Sequence, residues 1–144
     1  MNKEKNTDKR PFSAVTIVGL GLIGGSLALA LRRSGFSGKI IGVSRKSSLQ
    51  EAMQLNAIDA GFAYEELPLA VNGSDLIVLS SPISTIMEHL KTLGAAGTLL
   101  KQGAVVTDVG STKRSILQTG SANLPKHAFF IGGHPLAGSE RRGM

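Results

Sequence analysis

Residues 15–24 read V-T-I-V-G-L-G-L-I-G, and this stretch constrains the chain more than any other. Four β-favouring residues run straight into G-x-G-x-x-G, and an apolar segment rich in Ala and Leu follows. Strand, glycine turn and helix in that order give the fingerprint its mechanism. Gly19 permits the tight turn, Gly21 lets a pyrophosphate approach the backbone, and Gly24 lets the helix pack closely on the strand. Phosphates then meet the free N–H groups of the helix start, at Leu22 and Ile23. A bare G-x-G-x-x-G is weak evidence in a chain with 18 glycines. The flanking strand and helix turn it into a prediction of dinucleotide binding.

Val15 to Leu31 has a second outline. It carries no charge and is bracketed by Lys9 and Arg10 before it and by Arg32 and Arg33 after it, as a signal peptide or short membrane span is. Four glycines interrupt the run. It also falls short of the roughly 20 apolar residues a spanning helix needs. No small-residue cleavage site in a secretory context follows, so export and insertion are set aside.

A length of 144 residues suits one domain. With 42% hydrophobic and 18% charged residues, the chain falls in the globular class. The absence of cysteine excludes disulfides, thiolate metal sites and thiol nucleophiles, and fits a cytoplasmic location. The net charge of +6 is concentrated at the ends, in Lys3, Lys5, Lys9, Arg10, Arg141 and Arg142. Only 4% of residues are aromatic, which leaves little to stack on bases, and no nucleic-acid module is recognisable. The expected partners are small anionic molecules, not nucleic acid or membrane.

Residues 1–13 are polar and aperiodic and are expected to be a disordered basic tail, with a dinucleotide-binding domain over 14–144. The apolar runs predict strands at Ala14–Val18, Lys39–Val43, Phe62–Tyr64, Leu76–Ser80, Ala104–Thr107 and Ala128–Ile131. Helical spacing predicts helices at Leu22–Ser34, Ser47–Asn56 (opened by a Ser cap), Glu65–Val71, Ser84–Leu93 and Thr112–Ala122. Six strands separated by helices imply an α/β fold, a doubly wound, Rossmann-like parallel sheet in the order 3-2-1-4-5-6. Ligand is then expected at the carboxyl ends of the strands.

An NAD site places Asp or Glu at the end of the second strand, where it binds the ribose 2′-OH. Here that end reads G-V-S-R-K, with Ser44, Arg45 and Lys46 and no carboxylate. Ser44 can donate to a 2′-phosphate and Arg45 can clamp it, so NADP is favoured over NAD. A charge-assisted bond contributes about 1.5–3 kcal/mol, roughly ten- to a hundredfold in affinity. The plainer alternative is that Arg45 and Lys46 decorate a solvated loop.

Two later segments also follow strand ends: T-D-V-G-S-T-K over residues 107–113 and G-G-H-P-L-A-G-S-E over 132–140. With the fingerprint and the L-S-S-P turn that holds Ser81 and Pro82, they closely resemble the prephenate/arogenate dehydrogenase family of tyrosine biosynthesis. H-P-x-A-G-x-E is far more specific than the glycines. The resemblance implies that His134 is the catalytic group bonding the substrate's ring hydroxyl and that Ser111 lies beside that hydroxyl and the nicotinamide. It further implies that Glu140 stands near the active-site entrance, and that Ser44 and Arg45 are the phosphate-binding pair of NADP-using members.

Other readings stand beside these. Ser111 also reads as the cap of the following helix, and Lys113 as a site residue or a solvated one. Asp108 reads as a turn residue in preference to an orienter. His89 and His127 lack a catalytic context and read as structural or exposed. No His, Asp or Glu cluster has metal-ligand spacing, so no metal is predicted.

In the family the resemblance points to, a helical second domain follows. It closes over the substrate, supplies basic residues for its carboxylates and forms most of the dimer interface. This chain stops just after the motif, so it is expected to be a fragment, the cofactor-binding half, inactive alone. The competing functions are a non-catalytic NADP-binding module and a different short dehydrogenase of the β-hydroxyacid or pyrroline-carboxylate reductase kind. Nothing in the latter accounts for G-G-H-P-L-A-G-S-E.

Overall fold

A computed structural model describes residues 12–135. β1 (Ala14–Val18) leads into α1 (Leu22–Arg33), β2 (Lys39–Val43), α2 (Lys46–Gln54) and β3 (Ala60–Phe62). A 3₁₀ turn (Tyr64–Glu66) and the short α3 (Leu67–Ala70) cross to β4 (Leu76–Leu79) and α4 (Ile83–Ala95). A second 3₁₀ turn (Gly97–Leu99) precedes β5 (Val105–Asp108), α5 (Arg114–Asn123) and β6 (Phe129–Ile131). The strands form one parallel sheet in the order β3-β2-β1-β4-β5-β6, the order expected from the sequence.

The period of two along each strand sorts its side chains between two cores. Val15 and Ile17 of β1, Ile40 of β2 and Val78 of β4 pack with Ala28 of α1 and Ala52 of α2. Val18, Ile41, Val43, Ile77 and Leu79 pack on the other face with α3, with Ile86, Leu90 and Leu93 of α4, and with Ile116 of α5. Helices therefore cover both faces, and the central strands are largely apolar. The polar exception in β1, Thr16, is fully buried; its hydroxyl donates to the Ala70 carbonyl at 3.1 Å and lies 2.6 Å from the Ser74 hydroxyl.

Several boundaries differ from expectation. β3 lies two residues earlier than Phe62–Tyr64, because Asp59 N–H already bonds the Ile40 carbonyl and fixes Gly61 opposite Gly42. Tyr64 then begins the 3₁₀ turn, where the Glu66 carboxylate accepts the Ala63 N–H at 2.9 Å. α2 has no Ser cap. Its ladder starts at the Arg45 carbonyl, which accepts the Leu49 N–H, so Ser47 lies inside the first turn. α5 starts at Arg114 with no side-chain cap, which removes the capping role considered for Ser111.

The expected tail boundary also shifts. Phe12 packs against the α1–α2 core, and the Ser13 backbone and hydroxyl both donate to Asp75 at 2.8 Å. The folded body thus includes residues 12 and 13, while residues 1–11 lie outside those described. Asp75 also accepts the Ala14 N–H and pairs with Lys101, which joins the starts of β1, β4 and β5 at one carboxylate. Burial acts to raise its pKa, but Lys101, Ser13 and Ala14 together hold it far below the usual carboxylate range.

Candidate functional site

The site begins where β1 ends. Gly19 takes φ +94°, a left-handed conformation that favours glycine, and a Cβ there would lie 2.7 Å from the Ser80 carbonyl oxygen. A Cβ on Gly24 would lie 1.9 Å from the Gly19 carbonyl oxygen, so α1 rests directly on the turn. Ser80 fastens the arrangement from β4, donating its hydroxyl to the Gly19 carbonyl at 2.6 Å. Gly21 is different: apart from its chain neighbours, no atom of the described residues lies within 4 Å of a Cβ placed there. The protein's own packing leaves that space open, as a cradle for a ligand must.

α1 opens onto the same space. Its first turn has neither a side-chain cap nor an acidic residue, so its N–H groups and the positive end of the helix are left for an anion. Beside it a cleft of about 570 Å³ runs along the carboxyl ends of β1, β4 and β5. Leu22 and Ile23, Ser81 and Pro82, and Ser111 with Gly110 line it. Five residues singled out in the sequence, from three separate segments, are thus brought to one cleft.

The Ser81 hydroxyl is buried and has no hydrogen-bond partner among the described residues. Such a group costs about 1–3 kcal/mol unless a ligand or water satisfies it. The open cradle at Gly21, the uncapped helix start and this hydroxyl together fit a bound dinucleotide.

The residues at the end of β2 stand apart from the cleft, on the other side of the glycine turn. Ser44 is buried, and its oxygen accepts the Leu20 N–H at 3.4 Å, which leaves its own hydrogen free to donate. Arg45 and Lys46 are exposed, and Arg45 Nε donates to the Ser48 hydroxyl at 3.4 Å. Ser44 therefore has a structural task that the sequence did not reveal.

On the opposite side, His134 is exposed in the segment after β6 and does not line the cleft. Glu140 lies outside the described residues. Lys113 is half-buried and ion-paired with Asp108, so it is not simply a solvated lysine. Asp108 is buried and accepts the Gly110 N–H at 2.8 Å and the Gly133 N–H at 3.2 Å. The sequence reading preferred a plain turn for it; the bond to Gly133 goes beyond one. Neither this role nor that of Ser80 has a local sequence signal, because both depend on contacts between distant segments.

The other two histidines do not line the cleft. His89 is buried and stacks on Tyr64, with ring centroids 5.4 Å apart, and burial pushes its pKa down. His127 Nε2 lies 3.1 Å from the Leu100 carbonyl oxygen. Among the described residues no group of three or more His, Cys, Asp or Glu is placed to hold a metal. No described helix is long and apolar enough to cross a membrane.

Comparison with known proteins decides the family. The sequence model of the family described as "Prephenate dehydrogenase, nucleotide-binding domain" matches residues 27–144. The chain belongs to this family. It is 36% identical over 131 residues to the prephenate dehydrogenase of Lactococcus lactis subsp. cremoris, covering 90% of the chain and 36% of that protein. Prephenate dehydrogenase from A. aeolicus, solved with hydroxyphenyl propionate and NAD+, superposes with a TM-score of 0.81 at 39% identity. That match covers 94% of this chain and 46% of the other. Synechocystis arogenate dehydrogenase gives a TM-score of 0.76 at 37% identity, over 90% of this chain and 43% of that one. The chain thus spans less than half the length of each of these relatives, and the family domain it matches is the nucleotide-binding one.

Proposed function

We propose that this domain binds NADP and contributes His134 and Ser111 to the oxidation of prephenate or arogenate, the committed step toward tyrosine, in the cytoplasm. One observation supports this most: the fingerprint helix start and Ser111 face each other across a single cleft at the carboxyl ends of the strands. When bound, the nicotinamide supplies the hydride acceptor. Leu22 and Ile23 offer N–H groups to the pyrophosphate, and Ser81 offers an unpaired hydroxyl beside them.

Ser111 orients the substrate's ring hydroxyl so that the hydrogen on the adjoining carbon faces the cofactor. His134, as neutral imidazole, takes the hydroxyl proton while the hydride leaves that carbon. Carbon dioxide then departs with its bonding electrons left in the ring, which becomes aromatic. Glu140, six residues past His134, stands at the substrate entrance in this reading. At the other end of the cofactor, Ser44, Arg45 and Lys46 face the 2′-phosphate. The absence of a carboxylate at that strand end favours NADP over NAD.

The purified chain, given NADP with prephenate or arogenate, is assayed by the absorbance of the reduced nicotinamide, with His134→Asn as control. Turnover that depends on His134 supports the full reading. A chain that binds NADPH without turnover supports a second reading, a cofactor-binding half that acts only with the rest of its relatives' length. The match to under half of those relatives favours keeping that reading in view. Failure to bind either dinucleotide refutes both.

A further inference from the structure

Asp108 ends β5 with its residue only 1% exposed, and its carboxylate holds two separate segments. One oxygen accepts the Gly110 N–H at 2.8 Å and pairs with the Lys113 ammonium; both belong to the loop that carries Ser111. The other oxygen accepts the Gly133 N–H at 3.2 Å, next to His134 and 25 positions along the chain. β5 and β6 are paired only as far as Thr107 and Ile131. Past that register the Asp108 side chain takes over as a link between the two segments. The backbones approach just as closely, since a Cβ on Gly133 would lie 2.4 Å from the Asp108 carbonyl oxygen.

A local turn accounts for the bond to Gly110, two residues on, but not for the bond to Gly133. A buried carboxylate is expensive unless paired and fully hydrogen-bonded, and Lys113 with two backbone donors meets that condition here. We propose that Asp108 is a positioning residue, whose single carboxylate sets the separation between Ser111 and His134. The inference rests on the reading of those two residues as the substrate-handling pair. Asp108→Asn keeps the shape but leaves one oxygen for donors from both segments, so one segment is released.

The chain has no cysteine, so labels can be placed without background. Ser111→Cys and His134→Cys are introduced together, labelled with nitroxides, and their distance distribution is read by electron paramagnetic resonance with Asp108 intact and with Asp108→Asn. The expected result is a narrow distribution that broadens about twofold or more in Asp108→Asn, given that such sites are held to about 0.5 Å. In the unlabelled Asp108→Asn chain the NADPH dissociation constant stays close to that of the parent, while the melting temperature falls because Lys113 loses its buried charged partner. An unchanged width in folded Asp108→Asn overturns the proposal. So does broadening matched by a comparable loss of NADPH binding, which reports general loosening.

If Asp108→Asn does not fold, amide hydrogen exchange in the unaltered chain decides. Slow exchange at both Gly110 and Gly133 supports the clamp, and free-loop exchange at Gly133 overturns it. The distance and exchange measurements need neither turnover nor bound cofactor, so a parent that binds no dinucleotide refutes the proposed function while the distance result stands by itself.

Discussion

Gly24 lies so near Gly19 that a single methyl group on it would come within 1.9 Å of the Gly19 carbonyl oxygen. Gly21, between them in sequence, faces open space. Two glycines of one motif therefore answer to different demands: packing requires the one at 24, whereas packing leaves the one at 21 unconstrained. Overpacking of this kind costs about 1–3 kcal/mol or more, so Gly24→Ala is expected to lower the melting temperature clearly. Gly21→Ala is expected to leave melting nearly unchanged and to weaken NADPH binding about tenfold or more, since the backbone can no longer approach the pyrophosphate. Thermal melts and fluorescence titrations of both variants separate the two roles.

Arg45 and Ser44 should also part company. Arg45 is exposed and has no packing task, so Arg45→Ala is expected to weaken NADPH about ten- to a hundredfold, the worth of a charge-assisted bond, and to leave NADH alone. Ser44→Ala removes the acceptor of the Leu20 N–H as well. It should weaken both cofactors. Equal losses for NADPH and NADH in Arg45→Ala would remove the case for a 2′-phosphate contact.

His89 sets a pH dependence of stability. Burial holds its folded pKa below the ordinary value, with Glu88 a smaller opposing influence. The unfolded chain therefore binds the proton first. Stability is full above about pH 6.5 and declines as pH falls below it, by at most about 1.4 kcal/mol per pH unit. Urea denaturation from pH 7.5 down to about 5 should show this slope, and His89→Phe, which keeps a ring against Tyr64, should flatten it.

Asp75 works in a lower window. Its folded pKa lies well below the unfolded value of about 3.9, so its stabilisation is present above that pH and is lost as pH falls through it. Asp75→Asn is expected to cost about 1.5–3 kcal/mol at neutral pH, the worth of hydrogen bonds to a charged group. The same variant should lose less of its remaining stability below pH 4 than the parent does. Denaturation midpoints at pH 7 and pH 3 check both statements.

The strands and their order were legible because the physics behind them is local and repetitive. β1, β2 and β4 are short apolar runs bounded by glycine, serine or proline, and helices between them leave few ways to arrange a parallel sheet. β3 was misplaced because A-G-F has no β-branched run; its pairing is fixed by Asp59 bonding Ile40 across the sheet. At the site, Leu22, Ile23, Ser81, Pro82 and Ser111, all of which line the cleft, were found from motifs at strand ends. Ser80 and Asp108 escaped because each acts on backbone groups remote in sequence, Gly19 in one case and Gly133 in the other. A carboxylate's neighbours in the chain say little about which distant N–H it will meet.

The register of the central strand carries a consequence for how the protein is made. β1 pairs on one side with β2, from Ala14 opposite Lys39, and on the other with β4, from Val15 opposite Leu76. During synthesis β1 can acquire its first neighbour early. The second leaves the ribosome about 60 residues after β1 does, a wait of about 3–12 s at 5–20 residues per second. Throughout that interval the central strand of the sheet has one bare edge, the condition under which strands recruit the wrong partner. Slower translation over residues 40–80 lengthens that exposure, and faster translation shortens it.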